Sequence, residues 1–258
     1  MDLPFKGRPK PMLQRLLDLV VVVPGIIADG YRMLKGPIEG TEVIDPAVML
    51  LTILGLIGRC WKVDSQLQEF YKNLEEDTLG PLYWPELSTE IDGIYNETHL
   101  GKVFPVAFQF LDIQAAHICL IYWACMAILW SGMGLMYRLL AGISAANAIS
   151  TNAETHKSGA GEFDITQLPP LEHRQDVAIL ARNICQSIEF CLKDEHRGLG
   201  ARAAVFSLKV AIETLHDAPE CERELLWAQA AMLRVNQSGV RIMKHLPVPI
   251  TDHAFLPG

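Results

Sequence analysis

Apolar residues recur every three or four positions along nearly the whole chain, the spacing that places them on one face of an α-helix. The pattern predicts a first helix from Pro11 to Leu34. Pro24 and Gly25 force a kink or break in it, because proline removes a backbone donor and crowds the preceding turn. Asp45-Pro46 is a start signal, with Asp as cap and Pro at the first helical position. The helix that follows, 46–77, opens as AVMLLTILGLIG and closes on Glu75, Glu76 and Asp77. Residues 78–104 contain LGPLYWPEL and DGIYNETHLGKVFP and read as an ordered wrapping loop. A long central helix starts near Pro105 and runs to about Asn147. Residues 148–170 are rich in Ser, Thr, Asn and Gly and read as a flexible loop. Three helices complete the chain, at 172–194, 199–217 and 219–246. Gly198 and Gly200 divide the first two, and Ala218-Pro219 opens the last. No alternating strand pattern and no internal repeat is evident. The expectation is a single all-α domain over 1–258, of mostly antiparallel helices around a long apolar central helix.

The central helix raises the sharpest question. From His117 to Tyr137 it carries no Asp, Glu, Lys or Arg, and about 20 apolar residues suffice to span a bilayer. The neighbouring helices are amphipathic, and no cluster of Lys and Arg borders the stretch to set an orientation. A helix that is apolar all round also suits the centre of a helical domain, so the expectation is a core helix and no membrane span. Cys119, Tyr122, Met126, Trp130, Met133 and Tyr137 form one stripe, and His117, Ile121, Ala124, Ile128 and Ser131 another. The first stripe reads either as ordinary core or as the wall of a pocket, since Met and Trp offer large polarizable surfaces and Tyr an amphipathic hydroxyl. On the last helix Met232, Val235, Gly239, Ile242 and Leu246 mark an inner face, and Arg234, Ser238, Arg241 and His245 an outer one.

Composition narrows the function classes. Half of the 258 residues are hydrophobic, a fifth are charged, and the net charge is −8. An acidic chain without a basic run is a poor match for a phosphate backbone, so direct nucleic-acid binding is not expected. The opening MDLPFKGRPKPMLQ lacks the continuous apolar core of a secretory signal. The six cysteines lie in apolar helical stretches without CxxC or zinc spacing, which reads as free thiols in a reducing, cytoplasmic setting.

Marks of familiar chemistry are few. Glu75-Glu76-Asp77 is the nearest approach to a DDxxD metal site and reads as a solvated helix end. Only Glu213 and His216 have ExxH spacing, and two such pairs are needed for a di-metal centre. HExxH and GxSxG are absent, and the pairs Gly132/Gly134 and Gly198/Gly200 have no phosphate-loop context. Neither a metal nor another cofactor is expected. Glu189, with Arg182, Gln186 and Lys193, reads as a surface stripe containing an i,i+4 ion pair. Arg202, Phe206, Lys209, Glu213 and His216 share a face that reads as a solvated edge. The alternative is a polar gate at a pocket mouth, with Glu213 and His216 as proton-transfer partners.

The run LLDLVVVVPGIIADGYRML resembles the opening helix of the regulatory domain of fungal binuclear zinc-cluster transcription factors. So does the ordered series LQEFYKNL, PLYWPEL, LIYWACMAIL, ILARNICQSIEFCL, AAVFSLKVAIETL and ERELLWAQAAMLRVNQSGVRIMKHL. The likeness spans about residues 12 to 246 and rests on the order and spacing of helical pieces. It implies an all-α body of the middle-homology or C-terminal regulatory type, able to sense ligands. The six-cysteine cluster and basic linker of that family have no counterpart here, so the DNA-reading module is expected to be missing.

A helical body without a reader suggests a domain kept for its cavity. The leading expectation is a cofactor-free cyclase or isomerase, of pericyclase (Diels–Alder) type, acting on an apolar terpenoid or polyketide of secondary metabolism. Shape alone can hold a flexible substrate in a reactive conformer. His117 and Tyr122 are the candidate catalytic hydrogen-bond donors, and Met126, Trp130, Tyr137 and Trp227 the candidate substrate contacts. A homodimer is left open. The alternative is a non-enzymatic transcriptional regulator or interaction protein lacking its own DNA-binding module.

Overall fold

A computed structural model describes residues 10–35, 46–89, 101–151, 168–196 and 198–237. They form helices α1 (Met12–Val20), α2 (Val23–Lys35), α3 (Pro46–Asp77), α4 (Ile113–Thr151), α5 (Ala178–Cys191), α6 (Leu199–His216) and α7 (Glu222–Gln237). Strands β1 (Tyr83–Leu87) and β2 (Val106–Phe110) and short 3-10 turns at Glu172–Gln175, Asp194–His196 and Pro219–Cys221 complete the described residues. The fold is mainly helical, as the periodicity predicts.

The first helix breaks where proline demands it. α1 ends at Val20, and Pro24 occupies the opening turn of α2, where its missing N–H costs nothing. An Arg59–Asp29 ion pair fastens α2 to α3. α3 begins at Pro46 and ends at Asp77, as predicted. It lies antiparallel to α4: Trp61, Asp64 and Tyr71 meet Tyr137, Trp130 and Tyr122, so numbers rise along one helix as they fall along the other.

The absence of strands is corrected. Tyr83–Leu87 pairs antiparallel with Val106–Phe110, Tyr83 opposite Phe110 and Leu87 opposite Val106. The segment VAFQF, expected as the start of the central helix, is a strand covered on both sides, with Ala107 and Gln109 buried on one face and Phe110 on the other. α4 therefore starts at Ile113, where the Asp112 carboxylate accepts a 2.7 Å hydrogen bond from the Ala115 N–H as an N-cap. The hairpin packs on α4 through rings, with Tyr83 edge-on to Trp123 at 5.3 Å between centroids. Of the loop expected at 148–170, residues 148–151 belong instead to α4, and 152–167 lie outside the described residues.

α4 is central. It packs against α1, α2, α3, α5, α6 and β2, and every residue from Tyr122 to Ala127 is buried. Its stretch Ile113–Ser144 is long and apolar enough to cross a bilayer, yet 67% of its most apolar window is covered by the protein itself. Each large side chain enclosed in this way contributes about 1.5–3 kcal/mol.

α5 and α6 approach closely. Gly198 caps α6 at φ 60°, a backbone conformation glycine adopts freely. At Gly200 a Cβ would stand 1.9 Å from the carbonyl oxygen of Cys191. Ala201, Ala204 and Ala211 of α6 are buried as well. The helices expected to open at 172 and 219 open at Ala178 and Glu222, each after a 3-10 turn. On α7, Val235 is fully buried and Met232 partly so. Gly239, Ile242 and Leu246, with Ser238, Arg241 and His245, lie outside the described residues.

Candidate functional site

A buried carboxylate organises one side of α4. Asp64 lies on the core-facing stripe of α3, near Cys60 and Leu67, and its residue is fully buried. Its Oδ1 accepts a 2.8 Å bond from Trp130 Nε1. Its Oδ2 accepts bonds from Arg174 Nε at 3.1 Å and Nη2 at 2.8 Å. The Arg174 guanidinium also lies over the Trp61 ring, 4.6 Å from its centroid. Trp61 Nε1 donates to the Tyr137 hydroxyl at 3.0 Å, which donates onward to the Pro169 carbonyl at 2.6 Å. His173 meets Trp130 edge-on at 5.4 Å. A buried charge is tolerated only when paired and hydrogen-bonded, and here both oxygens are used. The network holds the 168–175 segment against α3 and α4. It also retains Glu172 at φ 50°, a left-handed conformation costing about 1–3 kcal/mol in a residue with a side chain.

Beside this network lies a broad chamber of about 1350 Å³, with Trp130, Tyr137, Arg138, Arg174, Asp176 and Glu220 among its lining. A second hollow, of about 610 Å³, opens between α2, α4 and α6. Its walls are Ile26 and Met33 of α2, Ile128, Leu135 and Leu139 of α4, and Val210 of α6. Phe206, Lys209 and Glu213 also line it, with Lys209 Nζ 3.7 Å from the Glu213 carboxylate. These three come from the α6 face singled out as a pocket gate. His216 of that face pairs instead with Asp217 at 3.7 Å.

The six sequence-predicted residues do not converge. His117 is half-buried on α4, and burial holds its imidazole pKa below the ordinary value. Tyr122 is buried and stacks on Tyr71 at 4.5 Å, and burial pushes its hydroxyl pKa up. Met126 is fully buried. Trp130 and Tyr137 are brought together through the Asp64 network and share the chamber. Trp227 stands apart on α7, edge-on to Phe104 at 4.8 Å with Arg234 over its ring at 5.7 Å. None of the six lines the hollow, and His117, Tyr122, Met126 and Trp227 line neither space. Of the second α4 stripe, Ile128 and Ser131 do reach the hollow.

Comparison with protein-family models, with curated proteins and with solved structures finds no match to this chain. The site therefore rests on its geometry.

The surface stripe expected around Glu189 has another role. Its carboxylate accepts bonds from Ser88 Oγ at 2.8 Å, Thr89 N at 2.9 Å and Thr89 Oγ1 at 2.5 Å. Gln186 Nε2 donates to the Val106 carbonyl, and Lys193 Nζ to Gln109 Oε1. The stripe thus clamps α5 to the hairpin, while Arg182 pairs with Glu224 at 2.9 Å. All six cysteines are free and buried. Burial pushes the Cys119, Cys125 and Cys191 thiols up to about 12. Among the described residues no three of His, Cys, Asp and Glu are grouped to hold a metal ion.

Sequence reasoning missed Asp64 and the α2 wall. Asp64 had a readable signal, a lone carboxylate on the stripe of Cys60, Leu67 and Phe70. The wall had none, because its place depends on which helix faces α2.

Proposed function

We propose that the chain binds an elongated apolar small molecule in the hollow between α2, α4 and α6, as a helical ligand-binding domain of the regulatory type that its helix order resembles. The observation that carries this reading is an apolar space of about 610 Å³ walled by three helices, within the range of about 300–1,000 Å³ usual for small-molecule sites. A flexible polyene or terpenoid held there would be pre-folded. Cofactor-free cyclisation or isomerisation is the chemistry that such orientation favours. His117 and Tyr122 stand off the hollow, so turnover on this reading rests on shape. The acidic balance argues against nucleic acid. The enclosure of α4 favours a core helix over a membrane span, and six buried free thiols favour a cytoplasmic setting.

The test is titration with Nile red, a neutral dye that brightens in apolar surroundings. Val210→Trp fills the hollow, and Ile27→Trp, at a position already 48% exposed, narrows it from α2 with little risk to folding. Saturable brightening that both variants weaken at least several-fold supports the site. Binding that neither variant changes would overturn it. Incubation with a linear polyene addresses turnover separately: closure no faster than in buffer removes the catalytic part and leaves binding intact.

A further inference from the structure

The hollow and the chamber are adjacent. Ser131, Gly132, Leu135, Thr214 and Asp217 line both. The two spaces therefore meet along one wall, on which Gly132 carries no side chain. The two spaces differ in chemistry. The hollow is walled mainly by apolar side chains, with the Lys209–Glu213 pair and Asp217 at its edge, whereas the chamber adds Tyr137, Arg138, Asp176 and Glu220. From these observations, and resting on the reading of the hollow as a ligand site, we infer that the two form one bipartite site for an amphiphile. The apolar tail lies between α2, α4 and α6, and the polar head lies in the chamber.

The charges select the head. Arg174 is committed to Asp64, which leaves Arg138 as the other cation in the chamber's described lining, with Asp176, Asp217 and Glu220; of these three, Asp217 has the His216 imidazole 3.7 Å away. Lys209 and Glu213, on the hollow side, offset one another. α6 ends at His216, beside the shared wall, and α5 opens at Ala178 in the chamber's lining, so the negative end of one dipole and the positive end of the other offset there and the carboxylates decide the balance. Ser131 and Thr214 add hydroxyls at the passage. The site disfavours a carboxylate head and favours an ammonium or a hydroxyl.

The experiment displaces Nile red from the full chain with three twelve-carbon probes below their micelle concentrations: dodecylammonium, dodecanol and dodecanoate. Dodecylammonium is expected to bind roughly three- to ten-fold more tightly than dodecanoate, the size that a few partly exposed charge interactions supply. High salt should shrink that preference. Asp217→Asn combined with Glu220→Gln should reduce it and leave dodecanol unchanged. Gly132→Leu should weaken all three amphiphiles. A Cβ at Gly132 meets nothing within 4 Å, so the backbone can carry the side chain that narrows the passage. Equal binding of the three probes, or tightest binding of dodecanoate, overturns the bipartite site while the hollow stands. Failure of the wild type to bind Nile red and every probe removes the hollow itself.

Discussion

Removing the carboxylate of Asp64 should be among the most damaging single changes in the protein. Asp64→Ala leaves the Arg174 side chain, only 13% exposed, without its counter-charge and the Trp130 Nε1 without its acceptor. Breaking a buried pair in this way costs about 3–5 kcal/mol, a large share of the roughly 5–15 kcal/mol that holds a domain folded. At this chain length that corresponds to a fall in Tm of about 6–20 °C. Asp64→Asn should cost less, because its amide oxygen can still accept from Trp130. The pairing itself is isolated by the double variant Asp64→Leu/Arg174→Met, which replaces both charges by apolar groups and should recover much of the loss. Urea unfolding followed by tryptophan fluorescence reads all four proteins, with an unchanged m-value confirming a change in stability alone. A cost below about 1 kcal/mol for Asp64→Ala, or a double variant no more stable than the single, would refute the closed network and its hold on residues 168–175.

Gly200→Ala places a Cβ against the Cys191 carbonyl and should destabilise by about 3 kcal/mol or more. Gly58→Ala, in open space within α3, should stabilise by about 0.5–1 kcal/mol, and thermal melts that reverse this order would contradict the close approach of α5 to α6. His117 binds its proton less tightly when folded. Its contribution is therefore complete above the unfolded value of about 6.5 and is lost as pH falls through it. His117→Gln should flatten stability between pH 7.5 and about 5, and identical profiles would count against its burial. With the Cys119, Cys125 and Cys191 thiols raised to about 12, an aromatic disulfide reagent near pH 8 should label them only after unfolding. Stability should also decline as pH rises past the ordinary thiol value of about 8.5, because unfolding then releases thiolates.

Helices whose ends carry their own signals were legible in the sequence. α3 opens at Pro46, and Gly198 caps α6 and parts it from α5. The apolar run from His117 to Tyr137 announced a helix to be enclosed. These are local properties, set by propensity, capping and a period of 3.6 residues. What tertiary structure decided is non-local. VAFQF becomes a strand because Tyr83–Leu87 is there to pair with it and α5 to clamp it. Trp130 meets a carboxylate because α3 lies antiparallel at that register. An all-apolar helix has no polar side to betray its orientation, so its sequence could not say which stripe would be packed solid and which would face the hollow. That choice belongs to the helices around it: α3 closes over Tyr122 and Trp130, while α2 and α6 leave space beside Ile128 and Leu135.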